Sequence, residues 1–104
     1  MIKDVSSAEF NEIRGNGVVL VDFYSKTCGP CKMLAFILAD VDKEVGDDVT
    51  IAKLDFDENA DVVEEFGVKG YPTLVLLRDG AEVARSAGLR QKPEIVNMIK
   101  EATA

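Results

Sequence analysis

With 104 residues, nearly half of them hydrophobic, the chain can fold around one core but not two. Its net charge of −7, with twelve scattered basic residues, weighs against nucleic acid as a partner, since that binding is carried by Lys and Arg facing phosphate. Histidine is absent, which removes Cys–His and Ser–His pairs and any His-ligated metal. The start Met1-Ile-Lys-Asp-Val5 has no long apolar stretch, and no apolar run approaches the ~20 residues that span a bilayer, so the expected setting is cytoplasmic. In a reducing compartment, two cysteines point to reactive or metal-binding thiols more than to a structural staple.

Ile2–Val5 reads as a short strand. Ser6 with Glu9 three residues later forms a capping-box pattern before the helix Ala8–Ile13, whose Phe10 and Ile13 face the core. Gly15-Asn-Gly17 ends it. Val18–Tyr24 is a valine-rich run of the kind covered on both faces, so this strand is expected near the middle of the sheet. A second helix begins near Pro30; Leu34, Ile37, Leu38, Val41 and Val45 keep helical spacing, and Gly46 marks the stop.

Val49–Phe56 is a third strand, and Asn59 is placed to cap a short helix containing Val62, Val63 and Phe66 and closed by Gly67. Leu74–Leu77 and Ala81–Ala87 flank Asp79-Gly80, a hairpin turn signal, and a final helix starts around Pro93. The early strand–helix alternation requires crossovers and hence parallel strands, while the hairpin adds antiparallel ones. The expected fold is α/β: one domain over residues 1–104, a central mixed five-stranded sheet with helices on both faces.

Chemistry concentrates where the second strand breaks into the second helix. Cys28 and Cys31, three apart at a helix start, put both sulfurs on one face within reach of a disulfide. Pro30 suits a first helical turn, where its missing N–H costs nothing. The free N–H groups and dipole of that turn favour a thiolate at Cys28, lowering its pKa below the ordinary thiol value. Cys31 is placed to displace the mixed disulfide that an attacking Cys28 would form.

The alternatives are a structural disulfide or two inert thiols, and a metal site, which lacks about two of the ligands it would need. Asp22 is a lone carboxylate in an apolar strand. If buried, its pKa rises and it can exchange a proton with Cys31, with Lys53 across the sheet moderating the rise; at a strand end it would simply be solvated. Phe10, Phe23, Phe56 and Phe66 read as core.

The segments Val21-Asp-Phe23, Cys28-Gly-Pro-Cys-Lys32, Ala52-Lys-Leu54, Tyr71-Pro-Thr73 and Gly88 resemble the thioredoxin family in order and spacing, and the likeness covers essentially the whole chain. The resemblance implies the thioredoxin fold and a protein-disulfide reductase. In it Cys28 is the nucleophile, Cys31 the resolving thiol, Cys28–Cys31 the redox-active disulfide and Asp22 the acid/base. Lys53, Gly29 and Pro30 support them. Pro72 is implied to be a cis-proline against the cysteines, exposing backbone near Thr73 to a substrate peptide. Tyr71, Thr73 and Gly88 belong to the docking surface, with Thr27 beside them.

No cofactor fingerprint occurs, so the implied partners are a thioredoxin reductase and disulfide-containing proteins, met by a monomer with no bound cofactor or metal. Two departures stand out. Thr27 and Tyr24 occupy positions where the family commonly has tryptophan. Phe36 replaces a frequent helix-kinking proline, so any bend there needs another cause. The competing readings are a redox-gated binding module, which Thr27's altered surface would suit, and an oxidase or isomerase. Relatives of that last type usually place a histidine between the cysteines, where this chain has Gly29-Pro30.

Overall fold

Val18–Tyr24 forms the central strand, as its two-sided hydrophobicity predicts. In the computed structural model, which describes residues 1–104, the strands are β1 (Ile2–Asp4), β2 (Val18–Tyr24), β3 (Val49–Asp55), β4 (Thr73–Arg78) and β5 (Ala81–Ala87). The helices are α1 (Ser7–Ile13), α2 (Gly29–Val45), α3 (Ala60–Glu65) and α4 (Lys92–Thr103), with a 3-10 turn at Gly46–Asp48. The sheet order is β1-β3-β2-β4-β5. β3 runs parallel to β1 and β2, reached by crossovers, whereas β4 is antiparallel to β2 and β5.

Alternation along β2 divides the core. Val19, Val21 and Phe23 face α1 and α3 with Phe10, Val62 and Val63; Leu20 faces α2 and α4 with Leu34, Leu38, Ile95 and Ile99. All of these are nearly or completely excluded from solvent. The sheet edges are protected differently: β1 has only three residues, and β5 is largely exposed and carries Glu82 and Arg85.

Local signals act as expected at most element ends. The Ser6–Glu9 capping box is closed in both directions. Asp79 and Gly80 both take positive φ, 50° and 87°, the backbone a two-residue hairpin turn requires. Helix α2 runs unbroken through Phe36, whose side chain is 78% exposed. Asn59 departs from expectation. It stands at the N-cap position of α3 but makes no capping bond. Its amide is instead spent on contacts outside that helix: Oδ1 accepts from the Ser7 N–H at 2.9 Å and Nδ2 donates to the Asp55 carbonyl at 2.9 Å. A buried amide takes whichever partners satisfy it, and here they tie the start of α1 to the end of β3.

This packing sets a measurable scale. Leu38→Ala, truncating a fully buried α2 side chain, is expected to lower unfolding free energy by about 2–5 kcal/mol in urea titrations. A loss below about 1 kcal/mol would contradict a tight α2 face.

Candidate active site

After Tyr24 the chain leaves the sheet through Ser25–Thr27 and enters α2, with Cys28 as its N-cap residue in extended geometry (φ −100°, ψ 115°). The sulfur itself is the cap: the Cys31 N–H donates to Cys28 Sγ at 3.1 Å. Gly29 and Pro30 form the first turn, Pro30 where a lost N–H is harmless. Cys28 and Cys31 are joined by a disulfide with Cα atoms 5.2 Å apart. Both are buried, at 8% and 3% exposure, Cys28 being the more accessible. A sulfur that accepts a backbone N–H at a helix N-terminus is placed where negative charge is favoured.

Asp22 is completely buried, on the same face of β2 as Leu20, and neither carboxylate oxygen has a hydrogen-bond partner in the protein. Burial pushes its pKa from 3.8 up to about 7; Lys53 opposes the rise and Asp4 adds to it. Lys53 lies directly opposite in the β2–β3 register, with its Nζ 4.9 Å from the centre of the Tyr24 ring. A small open cavity of about 140 Å³ is bounded by Tyr24, Ser25, Lys26, Cys31, Lys32, Ala35 and Lys53. It gives Cys31 and Lys53 a common space large enough for water.

The Tyr71–Pro72 peptide is cis. The Gly88 N–H donates to the Pro72 carbonyl at 2.8 Å, and Gly88 has φ +84°, which makes glycine the natural residue there. Tyr71, Pro72, Thr73 and Gly88 line one groove of about 370 Å³ together with Val68, Lys69 and Arg85. Tyr71 is exposed, its ring held edge-on by Phe56 at 5.2 Å, so Phe56 is more than core filler. Thr73 is buried and its hydroxyl donates to the Gly70 carbonyl at 2.8 Å, so its side chain is already engaged within the protein.

Thr27 lies outside this groove. It is exposed, with its hydroxyl 3.4 Å from Ser25 Oγ, which donates to Asp57 Oδ2 at 3.1 Å. Ser25, Asp57 and Asp4 had no sequence signal, and Tyr24 had only its place where the family commonly has tryptophan, because their contacts join distant segments. A larger cleft of about 480 Å³ opens beside Val18 and Ile99, at the opposite end of β2, and its lining contains no cysteine.

A family model described as Thioredoxin matches residues 1–101. The chain belongs to the thioredoxin family. The thioredoxin of Chlamydia caviae is 41% identical over 97% of this chain and 98% of its own, and that of Bacillus subtilis is 38% identical over 96% of each. Among solved structures, a mutant thioredoxin from Halobacterium salinarum has a TM-score of 0.90 at 35% identity, covering 99% of this chain and 91% of that one. Chloroplastic thioredoxin z has 0.88 at 26% identity, covering 98% and 94%.

The protein is therefore a thiol–disulfide oxidoreductase of the protein-disulfide reductase type, and the expected fold is the observed one. In general terms, family membership implies disulfide substrates and a reductase that renews the dithiol. A redox-gated binding module is not favoured. No group of three or more potential metal ligands is present, and no helix is long and apolar enough to cross a membrane.

Asp22 makes stability depend on pH. Its folded pKa is raised, so the folded state retains a proton that the unfolded chain releases above 3.8. The resulting penalty starts near pH 4, grows until about pH 7 and then levels at about 4 kcal/mol. Asp22→Asn is thus expected to gain stability at pH 8 and almost none at pH 4; equal gains at both would show that Asp22 ionises normally in the fold.

Proposed function

We propose that Cys28 is the nucleophile of the disulfide reduction and Cys31 its resolving partner. The observation that carries this assignment is the Cys28 sulfur capping α2 through the Cys31 N–H, with the second sulfur one turn inside. In the reduced protein the Cys28 thiolate attacks one sulfur of a target disulfide, forming a mixed disulfide and expelling the other sulfur as a thiolate that takes up a proton. Cys31 then loses its proton, attacks Cys28 Sγ and releases the second target thiolate, leaving Cys28–Cys31 oxidised. Two electrons pass to the target.

Asp22 is the acid/base for Cys31. A buried carboxyl titrating near neutrality can accept the thiol proton and return it, through water in the cavity that Cys31 shares with Lys53. Lys53 limits how far the Asp22 pKa rises, and Gly29 and Pro30 shape the turn that presents Cys28. The target segment lies extended along the groove formed by Tyr71, Pro72, the Thr73 backbone and Gly88. Thr27, exposed next to Cys28 and outside that groove, influences which partners fit.

The electron donor is a thioredoxin reductase, since the chain has neither Gly-x-Gly-x-x-Gly nor a Gly-Lys-Ser/Thr phosphate loop to hold a redox nucleotide. One domain, acting as a monomer in the cytoplasm without a bound cofactor, is the simplest form consistent with this scheme.

Insulin reduction tests the roles separately. Cys28→Ser is expected to abolish turnover, and retained turnover would rule the mechanism out. Cys31→Ser should accumulate a mixed disulfide at Cys28. Asp22→Asn should slow resolution about tenfold or more near pH 7 while leaving formation of the mixed disulfide nearly unchanged.

A further inference from the structure

Three charged residues form one row across the sheet. Asp4 of β1 pairs in register with Lys53 of β3, and Lys53 pairs with Asp22 of β2. The residues two positions earlier, Ile2, Ile51 and Leu20, all pack in the core beneath α2 and α4, so the alternation of strands puts the charged row on that same face. Lys53 thus has a carboxylate on each side, yet it forms a salt bridge within 4.0 Å to neither.

Tyr24 lies between Asp4 and Lys53. It lies two residues beyond Asp22 on the same face of β2, and it engages both of Asp22's charged neighbours. Its hydroxyl donates to Asp4 Oδ1 at 2.7 Å, and its ring face lies 4.9 Å from Lys53 Nζ. An ammonium over a tyrosine face is attracted by the ring quadrupole.

We propose that Tyr24 is a positioning residue for the resolving step: it occupies Asp4 with its hydroxyl and holds Lys53 with its ring, so that Lys53's charge is kept for Asp22 rather than captured by Asp4. This deepens the acid/base assignment of Asp22 and rests on it. Burial and the bond to Asp4 hold the Tyr24 phenol well above its ordinary pKa, so the hydroxyl remains a donor wherever the reaction runs.

The other surroundings of Asp22 do not replace this control. β4 sets the apolar Leu74 opposite it, and α4 contributes apolar Ile95 and Ile99 to this face. β3 adds Asp55, which pairs with Lys26 at 3.5 Å. From α2 come Cys31, held in the disulfide, and, at the cavity rim, Lys32. Tyr24, Lys53 and Cys31 border the same cavity, so the ring that holds Lys53 also lines the space onto which Cys31 opens.

The test is titration of the Asp22 carboxyl by its infrared band in the oxidised full-length protein, beside the pH profile of mixed-disulfide resolution. Tyr24→Phe keeps a ring but releases Asp4 to draw Lys53 away, and is expected to raise Asp22's proton affinity roughly three- to tenfold. Asp4→Asn, an exposed change unlike Tyr24→Phe in its demands on packing, should lower that affinity, and the double variant should return it to the parent's or below. The resolution profile should move with the titration, while the urea midpoints at pH 4 stay close to the parent's.

An Asp22 midpoint that Tyr24→Phe leaves in place or lowers, or that Asp4→Asn fails to reverse in the Tyr24→Phe background, overturns the proposal. Failure of the underlying assignment has a different signature: Asp22→Asn would then resolve the mixed disulfide at the parent's rate, whatever Tyr24 does to the carboxyl's titration.

Discussion

A single carboxyl group buried in the middle of the sheet constrains everything around the cysteines. Asp22 occupies a position that Leu20, two residues before it, fills with an apolar side chain, and it does so without a hydrogen bond. Such a group is tolerated chiefly by staying protonated, which costs stability only when the pH would otherwise ionise it. The neighbouring strands therefore set its charge environment. β3 contributes the one cation opposite it, β1 a competing carboxylate, and the strand order β1-β3-β2 brings the three into a row.

The second constraint is the break from β2 into α2. A strand covered on both faces delivers the chain to a helix start six residues beyond the buried acid, and the helix is capped by a sulfur instead of the usual hydroxyl or carboxylate. The sulfur thus serves the fold and, on the assignment made above, the reaction. In a separate groove, the Gly88 N–H bonds the Pro72 carbonyl at one wall, while Phe56 packs edge-on against the exposed Tyr71 ring. That groove is built from the ends of β4 and β5 and the loop before β4, and neither cysteine is in its lining.

Features whose cause is local were legible in the sequence. The capping box at Ser6, the Asp79-Gly80 hairpin and the two-sided burial of Val18–Tyr24 depend on residues a few positions apart. Asp22 was half legible: the pattern marked it as anomalous, but solvated and buried carboxylates look alike until the strand's neighbours are known. Asn59 misled because its capping propensity was outcompeted by Ser7 and Asp55, the former more than fifty residues away. The Tyr24–Asp4 and Ser25–Asp57 bonds likewise join separate segments, and no periodicity encodes them.

Charge is distributed against the molecule's own average. The chain carries −7, yet the cavity at Cys31 and the groove at Pro72 are bounded by Lys26, Lys32, Lys53, Lys69 and Arg85 and by no carboxylate. Lys26 and Arg85 are partly spent on Asp55, Glu58 and Glu82, whereas Lys32 and Lys69 have no ion-pair partner within 4.0 Å. Cations around a helix N-terminus act in the same direction as its dipole, favouring the thiolate over the thiol. Salt screens the exposed lysines much more than the backbone N–H bonded directly to sulfur. The N–H bond to the Cys28 sulfur is therefore insensitive to ionic strength, whereas the field of Lys26 and Lys32 beside it varies with salt.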